Sequence, residues 1–379
     1  MTEPLVSVIV PTYNRAYCLA ATLDSALHQT HANVEVIVID DGSTDDTATL
    51  IAKKYGAEPR VRYVQQANAG VATARNHGLR IAQGDFVALL DSDDLWHPWK
   101  LEAQLAVMHA RPEVGKVWTD MEAINDAGAQ ISQAYLRTMY SAFRWFPTPE
   151  AIFGESLSCS DLVPALQPVL GEARAYFGDI FSLMILGSLV HTSTVLIRRE
   201  RREQVGFFRE EFTPAGEDYD FHLRTCRAGQ VAYLDASAIV YQVGRPDQLT
   251  RPELKLTIAR HSLKAIEPFL QNERHLIHLP VWMIEQTLAT SHFCIAERAM
   301  EAGLRGEALK SFARSLRHNI WQPRVFAFLP MTMLPASLVD ALRLQYRKTK
   351  AVLRNMRNPF DYAPSPGVIK SATQNQAQI

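Results

Sequence analysis

The chain is poor in the residues that would signal a disulfide or zinc scaffold. Its cysteines number four, Cys18, Cys159, Cys226 and Cys294, widely spaced, with no CxxC pair and no histidine at zinc-ligand spacing. A secreted disulfide framework and a structural zinc are both excluded, and four reduced thiols in a cytoplasmic protein are the expectation. Net charge is nearly absent too, at a formal -1 over 379 residues. No global field therefore recruits nucleic acid or an acidic surface. Long apolar runs are missing as well: the best stretch, Val325 to Leu342, is broken by Pro330, Pro335 and Asp340. It falls short of the roughly 20 apolar residues that span a bilayer. Met1-Thr2-Glu3-Pro4 lacks the basic region and cleavage site of a signal peptide, so residence in the cytoplasm is expected.

What the chain does contain is apolar bulk. Hydrophobic residues make up 47% of it, enough for one large α/β domain with an appendage, because single cores stop growing near roughly 250–300 residues. Val6–Val10 and Glu35–Ile39 are short β-branched runs that read as strands buried on both faces. Leu19, Leu23, Ala26 and Leu27 recur between them at helical spacing. The alternation continues through a helix over 47–55, a strand at 61–64, a helix over 70–83 and a strand at 86–90. The pattern predicts a doubly wound sheet whose ligands lie beyond the carboxyl ends of its strands. Asp40, Asp41, Asp91, Asp93 and Asp94 all fall at such ends.

A further strand is expected at 116–119. Residues 137–188 have poor periodicity and several prolines, which predicts an irregular insertion of the kind that forms lids or acceptor loops. A strand at 194–197, a helix over 219–228 and a strand at 231–234 follow. The expected organisation is an α/β domain over 1–250, divided into two parts, 1–115 and 116–250. A helical region over 251–362 and a disordered tail over 363–379 complete it.

Leu90-Asp91-Ser92-Asp93-Asp94 ends an apolar strand, so several carboxylates emerge together. A bound Mg²⁺ or Mn²⁺ would relieve their repulsion, with few protein ligands and substrate phosphates completing the shell. The competing reading has Asp93 or Asp94 capping a helix that starts at Leu95-Trp96-His97-Pro98. Asp40 either accepts a hydrogen bond from a base or ribose or serves its own turn, and Asp45 or Asp46 caps the next helix. Asn68, Gly70 and Arg75 place a glycine and a cation at a helix start suited to a diphosphate; the bland alternative is a solvated arginine. Gly216-Glu217-Asp218-Tyr219-Asp220 opens another helix, and its acids are either caps or a general base for an acceptor hydroxyl.

Five ordered segments carry a resemblance: Val6 to Arg15, Val38 to Asp45, Asn68 to Leu79, Asp85 to Trp96, and Glu217-Asp218. Together they resemble the family 2 glycosyltransferases over about Pro4 to Thr250. The resemblance implies the GT-A fold, a mixed α/β sheet followed here by a helical region, and inverting transfer from a nucleotide-diphospho-sugar, a UDP-sugar being favoured. It assigns the donor to Pro11, Tyr13, Arg15, Asp40, Asn68, Gly70, Arg75, Asp91, Ser92 and Asp93. Asp93 comes ahead of Asp91 as metal ligand, Asp218 is the base and Glu217 its support. A carbohydrate or lipid-linked acceptor, in bacterial surface polysaccharide or glycoconjugate synthesis, is implied as well. One departure is that no histidine follows the last sheet strand, where Tyr241-Gln242-Val243-Gly244-Arg245 stands. A nucleotidyltransferase and a catalytically silent nucleotide-sugar-binding module are the alternatives; the first lacks its glycine- and basic-rich phosphate loop. Arg343, Arg347, Lys350, Arg354 and Arg357 form one stripe beside an apolar face. That stripe predicts either contact with an anionic membrane or an ordinary packed helix.

Overall fold

The computed structural model describes residues 3–245, 247–248 and 251–334, with the side chain of Met333 left aside. The chain divides at Arg251/Pro252 into two compact units. The first is built on one eleven-stranded sheet: β1 (Val6–Thr12), β2 (Val34–Asp40), β3 (Val61–Gln65), β4 (Phe86–Leu89), β5 (Leu95–Trp96), β6 (Lys116–Ile124), β7 (Gln130–Ser132), β8 (Glu155–Ser158), β9 (Arg174–Gly178), β10 (Leu196–Arg198) and β11 (Val231–Gln242). The order is β3-β2-β1-β4-β10-β6-β11-β9-β8, with β5 paired to β11 and β7 to β6. Strands β3, β2, β1 and β4 are mutually parallel, and β10 runs antiparallel to both β4 and β6. The sheet is therefore mixed, as the sequence predicts.

Its core follows from the apolar runs. Every residue of β1 and of β4 is buried, and Ile9, Val36, Ile37, Val38 and Leu90 are fully inaccessible. Each such side chain contributes about 1.5–3 kcal/mol. Helices α1 (Leu19–Leu27), α2 (Thr47–Tyr55), α3 (Val71–Ile81) and α4 (Lys100–Ala110) make the connections. Helix α3 packs closely on β1 because residue 78 is glycine: a Cβ there would stand 2.5 Å from Ile9 Cγ2. The chain winds from β1 through β2 to β3 in one direction and reaches β4 on the other side of β1. The carboxyl ends of β1 and β4 thus flank a topological switch point, where open α/β sheets bind ligands.

Two expectations need correction. No helix starts at Leu95. Leu95–Trp96 is a short strand paired with Ile239 and Val240 of β11, and the His97 N–H donates to the Ala238 carbonyl at 2.9 Å. Pro98 holds the preceding residue extended, and α4 begins only at Lys100 with no side-chain cap. Asp93 and Asp94 consequently do not cap a helix there. The segment 137–188 is also less irregular than expected. It contains β8 and β9, which extend the sheet beyond β11, between short helical turns. Phe153 and Tyr176 anchor it on Tyr233 of β11, with ring centroids 6.2 and 6.5 Å apart.

The second unit is helical where described. Helices Lys255–Asn272, Val281–Glu301, Arg305–His318 and Pro323–Phe328 surround a core of Phe293, Ala296, Phe312, Val325 and Phe328. No helix among the described residues is long and apolar enough to cross a membrane. The basic stripe from Arg343 to Arg357 lies outside the described residues.

Candidate active site

The carboxyl end of β1 turns sharply. Pro11 is buried within the strand and Tyr13 is 47% exposed just beyond it. Asn14 has a positive φ of 52°, a conformation that asparagine tolerates better than most residues. The turn is held from the neighbouring strand end: the Asn14 N–H donates to Ser43 Oγ at 2.8 Å, and Asn14 Oδ1 accepts from the Thr44 N–H at 2.7 Å. Arg15 reaches across to Asp247 at 2.6 Å and Asp93 at 3.4 Å.

At the end of β2, Asp40 is fully buried, and its carboxylate accepts from the Ser43 N–H at 2.8 Å and the Tyr63 hydroxyl at 2.5 Å. Asp41 accepts from the backbone N–H groups of Ala69 and Gly70 at 2.9 and 2.8 Å and from the Gln66 side chain at 2.7 Å. It thereby fixes the loop that carries exposed Asn68 into α3. Gly70 takes a φ of 92°, which a side chain would resist. Asp45 accepts from the Thr47 N–H at 3.1 Å and so serves the first turn of α2.

Arg75 is the centre of the arrangement. One guanidinium nitrogen donates to Glu217 Oε1 at 2.6 Å, a second to Asp91 Oδ1 at 2.7 Å, and the group lies over the Phe208 ring at 5.3 Å. Burial works against its charge, but the fields of Asp91, Glu217 and Asp218 outweigh that, and its pKa is held above the ordinary arginine value. The arginine is therefore a brace between the acids after β4 and those opening helix Glu217–Arg227. That helix starts from Gly216, whose φ of 101° lets the chain turn abruptly. Glu217 is 3% exposed, and burial, with Asp218 beside it, pushes its carboxyl up to about 7 although Arg75 opposes this. Asp218 is half-buried, and its Oδ1 accepts from the Tyr219 N–H at 2.8 Å. Tyr140, from the segment 137–188, lies within electrostatic reach of Asp218, Asp91 and Asp94, and burial followed by their fields raises its phenol pKa.

After β4, Ser92 is buried, and its carbonyl accepts from the Thr22 hydroxyl at 2.9 Å and the Cys18 thiol at 3.3 Å. The acids on either side are thus set by α1. Asp91, Asp94 and His191 bring one potential ligand atom each to within 4.8 Å of one another. Asp94 Oδ2 and His191 Nδ1 are buried without hydrogen-bond partners. Burial, then the like charges of Asp93 and Asp91, push the Asp94 carboxyl well above the usual range, while burial lowers the His191 pKa and favours a neutral imidazole. Asp91, Asp94 and His191 thus form a group of oxygen and nitrogen donors that could hold a divalent cation. Imidazole among them suits Mn²⁺ better than Mg²⁺. Asp93 stands at the edge of the cluster, its carboxyl pKa raised by burial and Asp91 against the pull of Arg15.

His191 was not singled out from the sequence. It lies in the loop before β10, 100 positions after Asp91 (191 − 91), and no local pattern marks it. The Asp91 N–H donates to Ser193 Oγ at 3.0 Å, and the Trp96 indole donates to the Ser193 carbonyl at 3.0 Å, locking that loop against the acidic turn.

Residues 7–160 match the model of glycosyl transferase family 2. That segment, about two fifths of the chain, is similar to the family 2 glycosyl transferases. The chondroitin synthase of Escherichia coli is 37% identical over 138 residues, 36% of this chain and 20% of that protein. The hyaluronan synthase of Pasteurella multocida is 39% identical over 132 residues, 35% of this chain and 14% of that protein. An uncharacterized glycosyltransferase of Rickettsia typhi is 29% identical over 238 residues, 63% of each chain. The chain thus spans from a seventh to under two thirds of the length of these relatives. Among solved structures, S. aureus TarS 1-349 in complex with UDP-GlcNAc is similar at a TM-score of 0.48 and 18% identity, over 83% of this chain and 88% of that one.

Proposed function

We propose that the protein is an inverting glycosyltransferase that moves a sugar from a nucleotide-diphospho-sugar to an acceptor hydroxyl. A UDP-sugar is the favoured donor, and a carbohydrate or lipid-linked molecule is the acceptor, in bacterial surface polysaccharide or glycoconjugate synthesis. The observation that carries this reading is the Arg75 brace, which joins the acidic turn after β4 to Glu217-Asp218. Metal-binding acids and a candidate base thus occupy one site in a chain similar to the family 2 glycosyl transferases. Relatives named as chondroitin and hyaluronan synthases support a carbohydrate acceptor.

In this reading Pro11, Tyr13 and Arg15 receive the nucleoside on a turn held by Asp40 and Ser43, and Asn68 and Gly70 border the diphosphate. Asp91, Asp94 and His191 would hold a Mg²⁺ or Mn²⁺ ion, with Ser92 and Asp93 beside them in sequence. When bound, the ion neutralises charge building on the departing diphosphate. Asp218 accepts the proton of the acceptor hydroxyl as its oxygen bonds to the anomeric carbon. The bond from that carbon to the diphosphate breaks on the opposite face, which inverts the centre and releases a nucleoside diphosphate. Glu217 and Arg75 position Asp218 and Asp91 relative to each other. Preorganised charge of this kind stabilises the transition state without a reorganisation cost.

The test is a panel of nucleotide-sugars with Mg²⁺ or Mn²⁺, scored for nucleoside diphosphate release with and without acceptors. Sugar-dependent release that chelator abolishes is expected. Pyrophosphate exchange would identify a nucleotidyltransferase, binding without turnover a silent module, and either would overturn the proposal.

A further inference from the structure

The helical unit carries a cavity that the transfer reaction does not use. Glu267 from helix Lys255–Asn272, Glu285 and His292 from helix Val281–Glu301, and Arg314, Arg317 and His318 from helix Arg305–His318 line about 560 Å³. A neighbouring hollow of about 340 Å³ shares Glu267, His292 and Arg314 and is also lined by Lys310. These volumes fall in the range of small-molecule sites.

The lining is arranged unevenly. His318 Nδ1 is fixed by Glu285 at 2.7 Å, and Glu307 is taken by Arg260 at 2.5 Å. Arg314 and Arg317 are exposed and make no ion pair among the described residues. His292 is 7% exposed and stacks on His318 with ring centroids 5.6 Å apart and planes 11° from parallel. Its Nδ1 is buried and has no hydrogen-bond partner, which is uncommon for a buried polar atom and marks a place for a ligand. Burial, then His318 and Arg314, push the imidazole down to about 4. It is neutral at pH 7, crowded by Arg314 and His318, with Glu267 and Glu285 lining the same cavity.

An oxyanion between two unpaired guanidiniums and that imidazole would relieve the crowding and make charge-assisted hydrogen bonds. Glu267 and Glu285, on the two other helices, would repel a bare anion but accept hydrogen bonds from hydroxyl groups. A ligand that satisfies both halves bears an anionic group on a polyol. We propose that this cavity binds a phosphate-bearing carbohydrate, with Arg314, Arg317 and His292 on the phosphate and Glu267 and Glu285 on the sugar hydroxyls. The inference stands apart from the donor reaction and holds whichever sugar is transferred.

The test uses the full chain, calorimetry and proton NMR, with glucose 6-phosphate, glucose and inorganic phosphate as probes. Glucose 6-phosphate is expected to bind saturably, and Arg314→Ala and Arg317→Ala should each weaken it by about tenfold, the loss of one charge-assisted bond. Both arginines are exposed, so the fold should persist, which circular dichroism checks. The imidazole resonance of His292, assigned by its disappearance in His292→Gln, should titrate at higher pH with ligand bound, because an anion beside it favours the charged ring. Its other charged neighbours are Glu267, Glu285, Arg314, Arg317 and His318. No binding, or binding unaltered in both arginine variants, overturns the site. Inorganic phosphate binding as tightly as glucose 6-phosphate overturns the carbohydrate assignment.

Discussion

Replacing Arg75 with methionine tests the brace directly. The substitution keeps an unbranched stem against Phe208 and deletes a guanidinium that pairs with Glu217 at 2.6 Å and Asp91 at 2.7 Å. The two partners differ in exposure: the Asp91 side chain is 28% exposed and can recover water, whereas that of Glu217 is 3% exposed and cannot. Most of the cost therefore comes from stranding Glu217. Breaking a buried pair by removing one member costs at most about 3–5 kcal/mol, less at neutral pH where Glu217, already raised to about 7, takes up a proton; the comparison is therefore made well above that pH. At roughly 2–4 °C per kcal/mol for a domain of this size, the sheet unit should melt about 6–20 °C lower. Adding Glu217→Gln to the same chain removes the stranded charge and should restore at least half of the loss. Differential scanning calorimetry of the four proteins in chelator closes the double-mutant cycle. A single variant that melts within about 2 °C of the parent, or two substitutions whose effects simply add, would show that Arg75 braces nothing.

Asp218→Asn should leave donor binding near its parent value and slow transfer by about 10²–10⁴-fold, the usual contribution of a general base; transfer at the parent rate, or loss of donor binding, assigns the carboxylate another task. His191→Ala, Asp94→Asn and Asp93→Ala should each weaken Mn²⁺ binding measured by calorimetry while the melting profile persists, with Asp93→Ala also abolishing turnover. Intact Mn²⁺ affinity in the first two would dismantle the cluster as a metal site. Lys100 is wholly buried, and burial alone lowers its ammonium pKa well below 10.5. Because the folded pKa is the lower one, the unfolded chain binds more protons between the two values, and the parent gains stability as pH rises through that window. Lys100→Met abolishes that gain, so the melting-temperature difference between the two proteins should move in the parent's favour from pH 7 towards pH 10. A constant difference would show that burial does not lower the Lys100 pKa.

The parts of the molecule legible in the sequence are those written locally. Val6–Val10 and Glu35–Ile39 are strands because β-branched runs buried on both faces have no polar alternation to confuse them. The helix over 47–55 agrees with its span, and that over 70–83 is shorter by a residue or two at each end. The acids at strand ends were visible for the same reason, and Arg75 was visible as a cation at a helix start. Its engagement by Glu217, 142 positions away, was not. Strands β8 and β9 were hidden because they owe their existence to β11, far along the chain, and to aromatic packing on Tyr233. His191 was hidden because nothing near it in sequence distinguishes it from an ordinary core histidine, and only the pairing of β10 with β4 brings it to the acids.

The loop containing Ser193 carries a consequence for how this protein can be altered. Two hydrogen bonds, from the Asp91 N–H to Ser193 Oγ and from the Trp96 indole to the Ser193 carbonyl, tie the residues just before β10 to the acidic turn. The stretch between β7 and that loop packs on β11, accepts a hydrogen bond from the Tyr219 hydroxyl at the Met184 carbonyl, and brings Tyr140 within electrostatic reach of Asp91 and Asp94. The segment 137–188 is in effect a cassette, a length of chain clipped into a frame whose chemistry is completed downstream of it. Exchanging that cassette for one of different length, while keeping Tyr140, His191 and Ser193, should change what is presented to Asp218 and leave the Asp91, Asp94 and His191 cluster in place. Acceptor choice and donor activation would then be separately tunable properties of one fold.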